Sequence, residues 1–144
     1  MIPYDDRKFQ KILDFYLFQC PVVFRSGKRV SVKARTFAER GFDGSSYTRL
    51  LNAMRHQMPI LFDPGRSAMF EEEKGEIAVL KQHSDLSKAA SVFYAIRNGF
   101  AHNSFAIKKN GMYEFTSETA KIRASAETLL TWIRLVEKGP GGLK

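Results

Sequence analysis

Cysteine is almost missing from this sequence: Cys20 is the only one in 144 residues. A lone thiol excludes a disulfide framework inside the chain and argues against a cysteine-based metal site, and it fits a reducing cytosol. Long apolar runs are missing too. The longest, "FYLFQCPVVF" from Phe15 to Phe24, is too short to span a bilayer and is broken by Pro21. Near the start, Asp5, Asp6, Arg7 and Lys8 carry no secretory pattern, so a cytoplasmic protein with no membrane attachment is expected. Acids are in short supply, with fifteen Asp and Glu against twenty-three Lys and Arg, a net charge of +8. That balance favours polyanionic partners such as nucleic acid or an acidic protein, although no dense Lys/Arg tract fixes where they would sit.

What is present is material for a core. Hydrophobic residues make up 44% and charged residues 26% of the chain, which argues for one folded domain over 1–144 that needs no staples. There is no internal repeat and no low-complexity segment. Phe9, Ile12, Leu13 and Tyr16 recur at helical spacing behind Asp5 as N-cap, and Pro21 stops that helix. From Val22 to Lys33 the sequence is ambiguous. It reads as a hairpin or loop turning at Ser26-Gly27, followed by a short helix from Ser31 to Gly41.

Further on, "SSYTRLLNAMRHQM" places Leu50, Leu51, Met54 and Met58 on one helical face, ended by Pro59 and the Asp63-Pro64-Gly65 turn. A weaker helix is expected over Glu71 to Gln82, then one capped by Ser84, Asp85 or Ser87 that runs through Arg97 to His102. Residues alternate on both sides of Asn110-Gly111, the sign of a hairpin near 105–115. Thr116 or Ser117 is expected to cap a last helix containing Ile122, Ala126, Leu129, Leu130, Ile133 and Val136, with 139–144 as a disordered tail. The fold class expected is mainly α, about four to six helices with one small hairpin.

Chemistry concentrates in "AIRNGFAHNSF", Ala95 to Phe105. At about 100° per residue, Asn98 and His102 share a helix face, and Arg97 lies next to it. Histidine moves protons near neutral pH, arginine forks onto phosphate oxygens, and asparagine orients a hydroxyl or a phosphate oxygen. Gly99 between them leaves space for a close backbone or a phosphate. The plainer reading is that Asn98 and His102 cap the helix and Arg97 pairs with a carboxylate. Lys108 and Lys109 at the hairpin tip would steer RNA, and Tyr113 would reach a base or phosphate. His56 and His83 stand alone, without ligand partners at useful spacing, and Glu71-Glu72-Glu73 reads as a solvated first helical turn.

The segment "RNGFAH", Arg97 to His102, resembles the signature of the HEPN superfamily (higher eukaryotes and prokaryotes nucleotide-binding). That signature is an arginine, a polar residue directly after it, and a histidine after a spacer of a few residues. The resemblance covers Ser84 to Lys138; the hairpin is a departure from a bare bundle. It implies an up-and-down helical bundle and a homodimer whose two motif helices form a composite cleft. It also implies a metal-independent endoribonuclease of the toxin–antitoxin or phage-defence kind that leaves a 2′,3′-cyclic phosphate and needs no cofactor. His102 would then transfer protons, Arg97 hold the scissile phosphate and Asn98 orient one of these groups. The alternatives are a non-catalytic RNA- or nucleotide-binding module, or a regulatory partner of a nucleotidyltransferase.

Overall fold

A computed structural model describes residues 6–19, 24–25, 30–31, 37, 39–84 and 86–143. Helix α1, Arg7–Leu13, starts at Asp6, whose carboxylate accepts the Lys8 and Phe9 amides at 2.7 and 3.4 Å. It runs on into one wider π turn, Asp14–Gln19. Phe9, Ile12, Phe15 and Tyr16 are buried, and the Tyr16 hydroxyl donates to the Leu129 carbonyl at 2.7 Å. Two short strands follow, β1 (Phe24–Arg25) and β2 (Val30–Ser31), paired antiparallel as the hairpin reading expected. The turn between them lies outside the described residues. So does most of the helix expected from Ser31 to Gly41, of which Phe37 and Glu39 are helical.

Helix α2, Gly44–Met54, turns Leu50, Leu51 and Met54 inward as its spacing predicts. Beyond it the chain departs from the expected helical domain. Strand β3 (Ile60–Leu61), a 3-10 turn (Pro64–Arg66) and helix α3 (Ala68–Glu72) lead to strand β4 (Ile77–Leu80). Helix α4 (Lys88–Ala101) then crosses to the far edge, where β5 (Phe105–Ile107), β6 (Tyr113–Thr116) and β7 (Ala120–Ala124) precede α5 (Ala126–Lys138). The order is β3-β4-β7-β6-β5, with β3 parallel to β4 and every other pair antiparallel.

The expected fold class is therefore overturned. The chain is not an up-and-down helical bundle with a small hairpin; its described residues form five α-helices and a five-stranded mixed sheet, an α/β arrangement. The hairpin at 105–115 is real, with Gly111 at φ 85° in its turn, but it is the edge of that sheet. Two expected helices are in part strands, Ile77–Leu80 in the first and Ala120–Ala124 ahead of the last, which is helical from Ala126 on. Ile77–Leu80 is buried at all four positions because the sheet is covered on both sides there. Ala78 and Leu80 join the main core, while Ile77 and Val79 pack with Phe70 and Met69 of α3. Glu71 and Glu72 consequently end a helix rather than open one.

In β7, Ala120, Ile122 and Ala124 point to the main core, and Lys121 and Arg123 point away from it. The cap of α5 is Ser125, whose hydroxyl accepts the Thr128 amide at 3.1 Å; neither Thr116 nor Ser117 caps that helix. Arg123 closes the second face of the sheet. Its guanidinium lies 4.2 Å from the Phe70 ring, donates to the Glu73 carbonyl at 2.7 Å and pairs with Glu114 at 2.9 Å. Residues 139–143, read as tail, carry a 3-10 turn at Pro140–Gly142, and Leu143 is buried.

Candidate functional site

Helix α4 positions the site, and its two ends are fixed by side-chain and backbone caps. Ser87 opens it, its hydroxyl accepting the Ala90 amide at 3.1 Å. At the other end the Ser104 amide donates to the Gly99 carbonyl at 2.7 Å and the Asn103 amide to the Phe100 carbonyl at 3.3 Å. Asn103 sits at φ 54° between them. This pair of bonds around one left-handed residue is a Schellman stop with asparagine in the usual glycine place. It makes His102 the last residue before the reversal and leaves its imidazole exposed.

Beside this flank of α4 runs a cleft of about 560 Å³. One wall is α4 itself, presenting Tyr94, Asn98 and His102. The segment that leaves β4, Lys81 to Ser84, forms the second wall, and the β6–β7 turn with Ser117, Glu118 and Thr119 forms the third. Hydrogen bonds from backbone amides tie the walls together. The Lys81 amide donates to the Thr119 carbonyl at 2.9 Å, the His83 amide to the Ser91 hydroxyl at 3.0 Å, and the Thr116 amide to the Ser104 carbonyl at 3.2 Å. The Ser117 hydroxyl accepts the Thr119 and Ala120 amides, which tightens the turn.

Of the residues expected to act together, the structure brings two to the cleft. Asn98 and His102 line it one helical turn apart. Arg97 does not line it; it is half-buried beside Asn98, and its Nη1 donates to Asn98 Oδ1 at 3.0 Å. A guanidinium only donates, so this bond fixes which end of the amide faces Arg97 and leaves the two Nδ2 hydrogens for an acceptor. The Arg97 Nε is buried and has no hydrogen-bond partner among the described residues.

Lys108 and Lys109 are exposed at the tip of the β5–β6 hairpin, as expected, with Lys108 3.7 Å from Glu114. Tyr113 was expected to meet RNA and instead belongs to the core. It is 4% exposed and stacked between Phe9 and Phe115 at 6.4 and 6.3 Å. Burial, with the Asp6 carboxylate adding to it, pushes its hydroxyl up to about 12. Gly99 is also explained differently. A Cβ there would stand 2.7 Å from the Phe115 ring, so its smallness serves a helix–strand contact inside the chain.

The residue that sequence reasoning passed over is His83. It lines the cleft with its ring edge-on to Tyr94, centroids 5.4 Å apart. Tyr94 and His102 are eight residues apart on α4, so the two imidazoles lie at opposite ends of a wall about 12 Å long. Nothing in the spacing of His83 marks it. Its place depends on β4 ending at Leu80, which the sequence reading took for helix. Among the described residues, no group of three or more His, Cys, Asp and Glu gathers to hold a metal ion, and no helix is long and apolar enough to cross a membrane.

Comparison with family models, curated proteins and solved structures finds no match for this chain. The HEPN resemblance therefore rests on Arg97 to His102 alone, on a helix backed by a sheet rather than by the bundle it implies.

Proposed function

We propose that the chain is an endoribonuclease that cuts RNA without a metal ion, with the cleft along α4 as its active site. The observation that supports it is the meeting of His102 and Asn98 on one wall of a cleft large enough for a nucleotide, in a chain of charge +8. His102 takes the proton of a ribose 2′-hydroxyl. The freed oxygen bonds to phosphorus, the bond from phosphorus to the 5′-oxygen breaks, and that oxygen takes a proton from water. A 2′,3′-cyclic phosphate remains. The Asn98 amide donates to a phosphate oxygen whose charge grows in the transition state. Arg97 is a positioning residue that keeps the amide turned that way. At the far end, Tyr94 and His83 receive a neighbouring base, and Lys81, Lys108 and Lys109 attract the backbone. A second copy, in the composite site that the resemblance implies, meets the first over the cleft flank, where His102 is exposed.

The test is cleavage of labelled RNA by the wild type and by His102→Ala. The variant should lose about 10²–10⁴-fold in rate, the contribution of one acid–base group. Its stability should change by no more than about 0.5 kcal/mol, as for a surface change. Activity should persist in EDTA, and DNA, lacking the 2′-hydroxyl, should stay intact. Expression of the wild type should slow growth while His102→Ala does not, which is the toxin setting. An alanine variant that cuts like the wild type, or a reaction stopped by EDTA, would overturn the mechanism. Binding without cutting in both forms would make the chain a non-catalytic RNA-binding module.

A further inference from the structure

Phe62 lies just past the end of β3, half-buried, with its inner side on the main core. Two cations from different elements gather on its ring. The Arg55 guanidinium carbon is 5.8 Å and the Lys88 ammonium 5.6 Å from its centroid. Arg55 ends α2 and is held in place, since its Nε and Nη2 both donate to the Ile60 carbonyl at 3.3 and 2.9 Å. Lys88 is the first residue of α4 and is exposed. The nearest acid in sequence, Asp63, faces Arg66 at 3.7 Å instead. One ring with two cations and, among the described residues, no carboxylate paired with either is a place where an anion with a flat apolar part gains both stacking and charge.

This place lies on the same sheet as the cleft, two strands over from one of its residues. Leu61 pairs with Val79, so Phe62 stands beside Leu80 one step further along, and Leu80 pairs with Ala120, which lines the cleft. Two strand spacings of about 4.8 Å separate Phe62 from that point. Ile60, Phe62, Ala78 and Leu80 all belong to the main-core face of the sheet. Gln82, another cleft residue, donates to the Leu86 carbonyl at 2.9 Å and ties down the segment that leads to Lys88.

We infer that Phe62, with Arg55 and Lys88, is a stacking platform for a base of single-stranded RNA whose strand also fills the cleft. It rests on the RNA reading above. The ring takes the base face without regard to sequence, and the two cations take the flanking phosphates.

The experiment uses fluorescence anisotropy with 2′-O-methyl RNA, which cannot undergo the cleavage step. One probe is a dinucleotide that fills the cleft alone; the other is a single strand of about ten nucleotides, within the range such platforms cover. Phe62→Leu, which keeps an apolar group on the core, should weaken the longer strand about 5- to 100-fold, the loss of one base stack. The dinucleotide should bind as before. Phe62→Trp should bind the longer strand at least as well as the wild type, and Lys88→Gln should lower the salt slope by about 0.7, one phosphate contact.

Equal binding of the longer strand by wild type, Phe62→Leu and Phe62→Trp overturns the platform. So does a wild type that fails to bind that strand, a duplex that binds equally well, or a polyglutamate competitor as effective as RNA, which would make the surface one for acidic protein. The two proposals separate cleanly. A length effect that depends on Phe62 in a chain that never cuts RNA leaves the platform and removes the nuclease. Cleavage that depends on His102, with no Phe62 effect, does the reverse.

Discussion

Helix α4 meets its surroundings on two flanks that are built differently. On one, Val92, Phe93, Ile96 and Phe100 are at most 6% exposed. There Phe100 stands edge-on to Phe105 and Phe115, with centroids 4.8 and 5.1 Å apart. On the other, Tyr94 and Asn98 are half-buried and His102 is open along the cleft. Gly99 sits at the boundary and lines the cleft while touching Phe115. The difference separates two reasons for one short motif. Packing dictates the glycine and the phenylalanine, whereas the asparagine and histidine have no core to fill. A motif read only as chemistry assigns Gly99 to the ligand; the core flank shows that it belongs to the fold.

The largest effect expected comes from breaking the core flank. Gly99→Val adds three carbons against a ring that is 1% exposed and hemmed in by Phe100, Phe105 and Tyr113. Overpacking of this kind costs about 3 kcal/mol at its upper end, or a loss of Tm on the order of 10 °C for a domain of this size. Gly99→Ala is milder. Its clash is partly offset by about 1 kcal/mol of better helix propensity. Thermal unfolding of both variants checks the ranking. A Gly99→Ala protein more stable than the wild type would mean that Phe115 moves aside and that the flank is not close-packed.

The cleft flank should respond in the opposite sense, with activity moving and stability holding. Asn98→Ala removes a donor to a charged oxygen, worth about 1.5–3 kcal/mol, so kcat/KM should fall about 10- to 100-fold. Arg97 acts through Asn98, so Arg97→Met should fall less, and the double variant should match Asn98→Ala alone. Such non-additivity is the sign of groups working as one unit. Fully additive losses would put the guanidinium on the substrate itself, as the motif reading has it. An unfolding free energy within about 0.5 kcal/mol of wild type for Asn98→Ala would set this flank apart from the Gly99 one.

The same contrast explains what could be read from the sequence. Helices α1, α2 and α4 have one polar and one apolar side, and their periodicity shows it. The hairpin carries Asn110-Gly111, and its register follows from that turn. Strand β4 has no polar side, because α3 covers one face and the main core the other. Four buried residues in a row carry no period that separates strand from helix. In β7 the alternation is present, Ala120, Ile122 and Ala124 against Lys121 and Arg123, but Ile122 also falls in helical step with Ala126 and Leu129. The Ser125 cap, not the apolar spacing, marks where the helix starts. His102 and Asn98 were readable because they lie close together in sequence on one helix. His83 was not, since it reaches the cleft only through the placement of β4.

The smallest effect belongs to Tyr113, and it extends the core flank to a pH at which that flank can be loosened without mutation. Its ring lies flat between Phe9 and Phe115, and its hydroxyl is pushed up to about 12 from the ordinary 10.0, by burial first and by the Asp6 carboxylate second. The folded chain therefore keeps a proton that the unfolded chain gives up above 10.0. Between these two values the folded state binds more protons, so stability falls as pH rises. Below 10.0 the contribution is whole, and as pH rises through about 12 it is lost. Urea midpoints measured across this window should decline more steeply for wild type than for Tyr113→Phe, which keeps the ring and removes the titrating group. The difference between the two proteins is the readout, because other tyrosines and lysines titrate in both. Asp6→Asn should shift both ends of the curve down, since Asp6 caps α1, yet leave most of the slope, because burial is the larger cause. A slope unchanged in Tyr113→Phe would place that hydroxyl in water and return Tyr113 to the surface residues able to meet RNA.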